Sequence, residues 1–364
     1  MNLPRPTRIA GLFLLLALLV RCAAAVTPTQ DSARWLAGLD AASDPRLAEV
    51  QKEANAAWES LQGTRIEAME RFAQSHFGAE RDHCDTLFYP FGGPDILNAL
   101  SFFPACHRYI LFGLERVGEM PDLDAMSADS KAKLLRDMLK AQRYIVRRNF
   151  FVTSDMSGEL NTPNLKGVLP MLCATMVRMG YTVTGIELAN LDGSTPFTGK
   201  RPRLARVHFQ RGTDGPPQQL DFASFDASDE GLGRNADFLT LMNPVRPTVT
   251  LIKASSYLLH DKSFARMRGL VEDKSTLLVQ DDTGLPYALM LRDGFRVELY
   301  GNYVGTIPAF RYRYQTDLAA AYKEQGNHLP LPFAWSYAWR RDEASLQVAR
   351  RAPAVMAAAD LPER

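Results

Sequence analysis

The sequence predicts an α/β fold: a mostly parallel, Rossmann-like sheet with flanking helices, an antiparallel hairpin and late antiparallel strands. Three observations predict it. Residues 87–91 and 109–114 are short apolar and aromatic runs without the alternation of a half-wet strand, which is how strands covered on both faces read. Between them residues 96–103 are long enough for one compact helix; Pro94 pre-sets its first turn and Pro104 ends it, so the pieces form a β-α-β unit. A second unit of the same kind follows at 248–253, 262–273 and 276–280.

In chain order, residues 1–25 read as an export signal, with Arg5 and Arg8 in a cationic start, an apolar run over 9–20 and small residues at Ala23, Ala24 and Ala25. Cleavage is expected after Ala25, giving a periplasmic or secreted protein. The apolar run has 12 residues, short of the roughly 20 that span a bilayer, so membrane contact is expected only through the signal before its removal. Arg21 stands before Cys22 where a lipoprotein signal needs a small residue. Residues 26–43 are polar and small and read as a linker. Asp44 and Pro45 then open an amphipathic helix with Leu47, Val50, Ala54, Trp58 and Leu61 on its inner face. Ile66, Met69 and Phe72 or Ala73 carry the stripe past Gly63, as one long helix or a bent pair that Gly78 closes.

After the first β-α-β unit, residues 127–148 form a charged amphipathic helix with Leu134, Leu135, Met138 and Ile145 inward, and 149–163 a loop. Residues 165–179 are apolar enough for a buried helix stopped by Gly180, and 181–188 alternate like a strand. Residues 204–210 and 219–225 flank the turn-rich RGTDGPP, an antiparallel hairpin placed as an insertion or at a sheet edge. Residues 295–303 and 331–339 read as late strands, and the Ala- and Arg-rich 341–364 as a poorly ordered tail. Residues 44–340 read as one elaborated domain.

Composition excludes some functions. With 23% charged residues and a net charge of +1 there is no basic stripe to track a phosphate backbone, and no nucleic-acid partner is expected. After cleavage Cys84, Cys106 and Cys173 remain, enough for one bridge in an oxidising compartment. His83-Cys84 and Cys106-His107 lack the short Cys-x-x-Cys spacing of a zinc site. Each pair precedes one of two strands read as adjacent and parallel, so a Cys84 to Cys106 disulfide is the expectation, with Cys173 a buried thiol. No G-x-S-x-G or H-E-x-x-H occurs, and Ser130 to Lys133 matches S-x-x-K without its companion motifs. No cofactor and no metal site is assigned from the motifs.

Ligands of open α/β sheets sit beyond the carboxyl ends of the strands, near a switch in strand order. That rule selects Asp95, Glu115, Lys253, His260 and Asp282 as candidate acid-base residues, with Gly92 and Gly93 as a backbone approach to a ligand. Each has a plainer use. Asp95 caps the helix that follows, Asp282 with Thr283 and Gly284 fits a turn, and His260 with Asp261 starts the helix at Lys262. Lys253, inside an apolar strand, requires a partner if it is buried. Tyr300, Tyr303, Tyr312, Tyr314, Trp335, Tyr337 and Trp339 serve cross-strand packing or line a groove for sugars or peptides.

The segments FYPFGGPD (88–95), GLE (113–115), VQDDTGLP (279–286) and LYGNY (299–303) together resemble a group of uncharacterised bacterial exported proteins, over most of the mature chain. That resemblance carries no catalytic residue with it. The chain is also similar to methyltransferase-type Rossmann sheets, with a glycine turn after the first strand, Glu115 ending the second, and a late β-α-β unit followed by an antiparallel pair. The likeness implies a cofactor-using transferase with a channel over Gly92 and Gly93. The expected function is binding of a small polar ligand, or an envelope component, at the strand ends, with or without catalysis. The alternatives are a noncatalytic envelope structural or interaction protein and the transferase.

Overall fold

The computed structural model describes residues 30–40, 45–143, 150, 158–246, 248–324, 328–338 and 340–351. The export signal with its cleavage site, Asp44, Ile145 and Trp339 lie outside the described residues, as does most of the 149–163 loop.

One nine-stranded sheet organises the chain, in the order β3-β4-β5-β2-β1-β6-β7-β9-β8. The strands are β1 (Thr86–Tyr89), β2 (Arg108–Gly113), β3 (Tyr181–Ala189), β4 (Leu204–Arg211), β5 (Gln218–Ser224), β6 (Thr248–Ile252), β7 (Ser275–Gln280), β8 (Phe295–Gly301) and β9 (Ser345–Arg351). The central run β5-β2-β1-β6-β7 is parallel throughout, and the outer pairings, β3 with β4, β4 with β5, β7 with β9 and β9 with β8, are antiparallel. The chain leaves β1 toward β2 on one side and later returns to place β6 on the other. The strand order therefore switches between β1 and β6.

The parallel strands read as continuous apolar runs because both faces are covered. Leu87, Tyr89, Tyr109, Leu111, Val249 and Leu251 join a core with helices α1 (Gln30–Leu36), α2 (Pro45–Leu61), α3 (Glu67–His76), α5 (Ile96–Phe102), α6 (Ala128–Arg143) and α7 (Leu169–Arg178), while the short α4 (Ala79–Asp82) buries no residue. Phe88, Ile110, Phe112 and Ile252 join a second core with α8 (Asp229–Arg234), α9 (Asp237–Met242), α10 (Ala265–Lys274), α11 (Tyr287–Arg292) and α12 (Thr316–Glu324) opposite. Each fully buried leucine or phenylalanine contributes about 1.5–3 kcal/mol by leaving water.

Several expectations are corrected. Residues 30–36 of the expected linker form α1, whose Ala33 and Leu36 are buried, and Gln30 accepts the Val183 backbone N–H at 2.9 Å. The stripe past Gly63 does continue as one helical run, as expected, with a π-helical turn, Gln62–Ile66, joining α2 to α3. The hairpin of β4 and β5 is no edge ornament, because β5 pairs in parallel with β2 and β3 forms the outer edge. Residues 331–338 form no strand; Phe333 and Trp335 enter the first core from an irregular segment. The expected tail contains β9, buried between β7 and β8, because its Leu346 and Val348 complete the first core while Arg350 reaches Glu80 at 2.9 Å. Cys84 and Cys106 form a disulfide at the amino ends of β1 and β2, and Cys173 is a buried free thiol.

Candidate functional site

At the carboxyl ends of the parallel strands, over the β1–β6 switch, lies a cavity of about 490 Å³, within the range of roughly 300–1,000 Å³ that takes drug-sized ligands. Its wall begins where β1 ends. Phe91 takes a left-handed backbone (φ 60°), and Gly92 and Gly93 follow. A Cβ on Gly92 would lie 2.7 Å from the Tyr89 ring. Gly93 also has positive φ, and a Cβ there would stand 3.3 Å from Glu115 Oε2. Glycine is required so that the Glu115 carboxylate can lie against the turn.

Asp95 is the N-cap of α5, as its position predicts, but it does more. It is buried and receives Lys253 Nζ at 2.6 Å, Tyr89 Oη at 2.9 Å, and Asn98 Nδ2 at 2.8 and 2.7 Å on its two oxygens. Burial pushes the Asp95 pKa up, but the Lys253 ammonium and these donors outweigh it and hold the carboxyl below its usual range. Burial pulls Lys253 down, opposed by Asp95. These four contacts, with the Asn98 backbone N–H that Asp95 caps, hold the pair in its charged form. Lys253 thus has the partner that its place in an apolar strand demands, and its ammonium also lies 5.2 Å from the Trp335 ring centroid.

The loop after β6 is the most distorted segment. Ala254, Ser256 and Tyr257 have φ of 50°, 54° and 57°, a backbone that costs about 1–3 kcal/mol at each such residue and persists only when its surroundings impose it. The end of β7 imposes it: Asp281 accepts from Ala254 N at 2.7 Å, and Ser255 donates from N to Thr283 Oγ1 at 2.8 Å and from Oγ to Thr283 O at 2.6 Å. Ser336, the remaining described non-glycine residue with positive φ, adjoins the lining residue Tyr337 and donates to Asp281. Every such strained residue among those described lies in the cavity wall or directly behind it.

Of the residues selected from sequence, Gly92, Gly93, Asp95, Glu115 and Lys253 line the cavity together. His260 and Asp282 do not. Buried Tyr257 donates from Oη to Asp282, packs its ring 5.2 Å from His260, and meets the wall ring Phe310 on another side. Asp282 is pushed up to about 7, by burial and then by the charge of Asp281. His260 is pulled down to about 4, chiefly by burial and then by Arg313. The turn expected of Asp282 is made by Asp281, which accepts the Thr283 N–H at 2.8 Å. Asp261 does start the next turn, accepting from Ser263 N at 3.0 Å.

No family model and no curated protein matches this sequence. Its chemistry is therefore legible only in the geometry of the site itself.

Sequence reasoning missed Asp226, Ser256, Phe91, Phe264 and Phe310 in the lining. Asp226 lies just past β5, and only the parallel pairing of β5 with β2 brings it to the rim. A pairing partner is not written in a local pattern. The FDASD run after a strand was the available signal: Asp226 accepts from Ser228 N at 2.9 Å and pairs with Arg234 at 3.1 Å. Hydrogen bonding from the Ser228 amide lowers its pKa. Among the described residues no group of three or more His, Cys, Asp and Glu stands close enough to hold a metal ion.

Proposed function

We propose that the cavity binds a small polar ligand of the nucleoside type: a flat ring joined to a hydroxyl-bearing sugar, without phosphate. The single observation that carries this reading is the Glu115 carboxylate lying against the Gly93 turn at the end of β2, where it can accept from sugar hydroxyls. The turn itself supports no phosphate cradle. Gly93 N donates to Phe112 O at 3.1 Å, Asp95 N to Gly92 O at 3.1 Å and Ile96 N to Pro94 O at 2.9 Å, while Pro94 has no N–H to give. Among the described residues of the lining the one lysine is held by Asp95, which engages its charge. Phe91, Phe112, Phe225 and Phe264 supply apolar faces for a ring. Convergence of three of the five candidate acid-base residues in one concavity supports this reading over a noncatalytic envelope protein.

A second reading, favoured by strand order, is group transfer from such a nucleoside. The parallel strands run β5-β2-β1-β6-β7 and are followed by β9, antiparallel, between β7 and β8, the late pair expected of a methyltransferase-type sheet. A sulfonium nucleoside would supply the methyl group, and it fits in charge: Lys253 is neutralised by Asp95, Asp226 is paired with Arg234, and Glu115 adds a carboxylate to the wall. The disulfide and the amino-terminal signal pattern support work in a periplasmic or extracellular compartment. Among the described residues no helix is long and apolar enough to cross a membrane.

The test is titration calorimetry with adenosine, adenosine 5′-monophosphate and S-adenosylhomocysteine. Adenosine or its thioether should bind at least about tenfold more tightly than the phosphate. Glu115→Gln should weaken binding by a similar factor, with the unfolding midpoint measured alongside so that the loss is read on folded protein. Tighter binding of the phosphate, or an unaffected Glu115→Gln variant, would sink the reading.

A further inference from the structure

The geometry points to a second, distinct subsite in the same cavity, at the β6 end, for a small aromatic molecule whose hydroxyl or amino group donates to Ser256 Oγ. This rests on the reading of the β1–β2 end as the nucleoside subsite and names what would sit beside it.

The wall rings make two contact groups. One is Phe91, Phe112 and Phe225, after β1, β2 and β5, joined by Phe264 from the segment between β6 and α10: Phe91 to Phe112 at 5.1 Å, Phe112 to Phe225 at 4.9 Å and Phe91 to Phe264 at 5.9 Å between centroids. The other stands over the loop after β6: Phe310 to Tyr337 at 5.9 Å and Phe150 to Tyr337 at 4.9 Å. The second group, with Leu258 and Ile307 also in the lining, offers an apolar slot. Offset or edge contact with such rings favours a flat aromatic occupant.

Counting protons fixes the polarity of that slot. Tyr337 has one O–H, and it donates to Ala254 O at 2.9 Å. Burial pushes its phenol up to about 12, so at neutral pH the proton stays. In the 3.2 Å contact between Ser256 Oγ and Tyr337 Oη the serine must therefore be the donor. While its proton is given to Tyr337, Ser256 Oγ, exposed and in the wall, turns acceptor lone pairs to the cavity. The left-handed backbone at Ala254 and Ser256 presents this hydroxyl to the wall. Glu115 and Asp226 elsewhere in the lining are acceptors too, and Lys253 is occupied by Asp95. A carboxylate or phosphate on the aromatic would meet acceptors and repulsion; a phenol or an aromatic amine would meet a partner.

The experiment uses the full chain and three probes of similar shape: p-cresol, 4-methylanisole and 4-methylbenzoate, each titrated by ligand-observed NMR with and without adenosine. The expected result is that p-cresol binds about tenfold more tightly than the ether, the value of one hydrogen bond, and that the benzoate is weaker still. Ser256→Ala and Ser256→Gly should each abolish the preference for cresol over ether, with adenosine affinity unchanged. Equal affinity for cresol and ether in the parent, or a preference that survives both serine variants, would overturn the subsite. So would competition between cresol and adenosine, which would make them occupants of one place. Retained cresol preference with no adenosine binding would instead overturn the nucleoside reading and leave this subsite supported.

Discussion

Lys253 shows how far a single residue can be read and where the reading stops. An ammonium inside an apolar strand announces a partner, yet which carboxylate it is depends on β1 and β6 being neighbours, and no local pattern carries that. Asp95 was legible as a cap, and its ion pair with Lys253 was not. Removing one member leaves the other charge buried. Asp95→Asn or Lys253→Met should each cost about 3–5 kcal/mol of stability, measured by urea unfolding. The double variant should cost less than their sum, because the ammonium and the carboxylate leave together and what remains is the loss of the Asp95 charge by buried Arg65. Additive losses would mean that the pair is not coupled. Glu115 differs in place: it lies against the Gly93 turn in the cavity wall, so its conservative variant, which keeps the shape and one acceptor oxygen, probes binding at that turn.

At the scale of elements, β1, β2, β6 and β7 were legible because burial on both faces writes a continuous apolar run into the sequence. β9 was illegible for the converse reason. Its SLQVARR ends in arginines, whose stems lie along the sheet while Arg350 reaches Glu80 and the His76 carbonyl, so polarity disguised a buried strand as a tail. The aromatics of 331–338 imitated a strand while packing from an irregular segment. The cysteines were legible because two parallel strands joined by one helix begin at the same edge, and the bridge forms there. That edge is opposite the cavity, so stability and binding separate. Closing a loop of sequence separation 22 contributes about 3 kcal/mol. The Cys84→Ala/Cys106→Ala double variant should lose about that much in denaturant unfolding while keeping the adenosine affinity of the parent; a lost affinity would tie the bridge to the site.

For the whole molecule, the cavity is held open by two strand ends that constrain each other: β7 supplies Asp281, Asp282 and Thr283, and β6 supplies the strained loop they fasten. Asp282 and His260, buried there, titrate in overlapping windows with opposite sign, and the neighbouring Asp281, also raised by burial, acts in the direction of Asp282. Asp282 rises from 3.8 to about 7 on folding. Between those values the folded state holds the extra proton, so stability falls as pH rises. His260 drops from 6.5 to about 4. Between those values the unfolded state holds the extra proton, so stability rises with pH. At about 1.4 kcal/mol for each tenfold change in proton affinity, each effect reaches about 3–4 kcal/mol at most, and from pH 4 to 6.5 they oppose one another. The parent should therefore show a shallow pH profile across that window. Asp282→Asn should unmask a rising profile and His260→Gln a falling one, read as urea midpoints between pH 4 and 7. Asp282→Asn keeps an acceptor for Tyr257 Oη, so its fold should survive the comparison. If both variants kept the shallow profile of the parent, the flatness would come from elsewhere, and the β7 end would fasten the β6 loop without a titrating carboxylate.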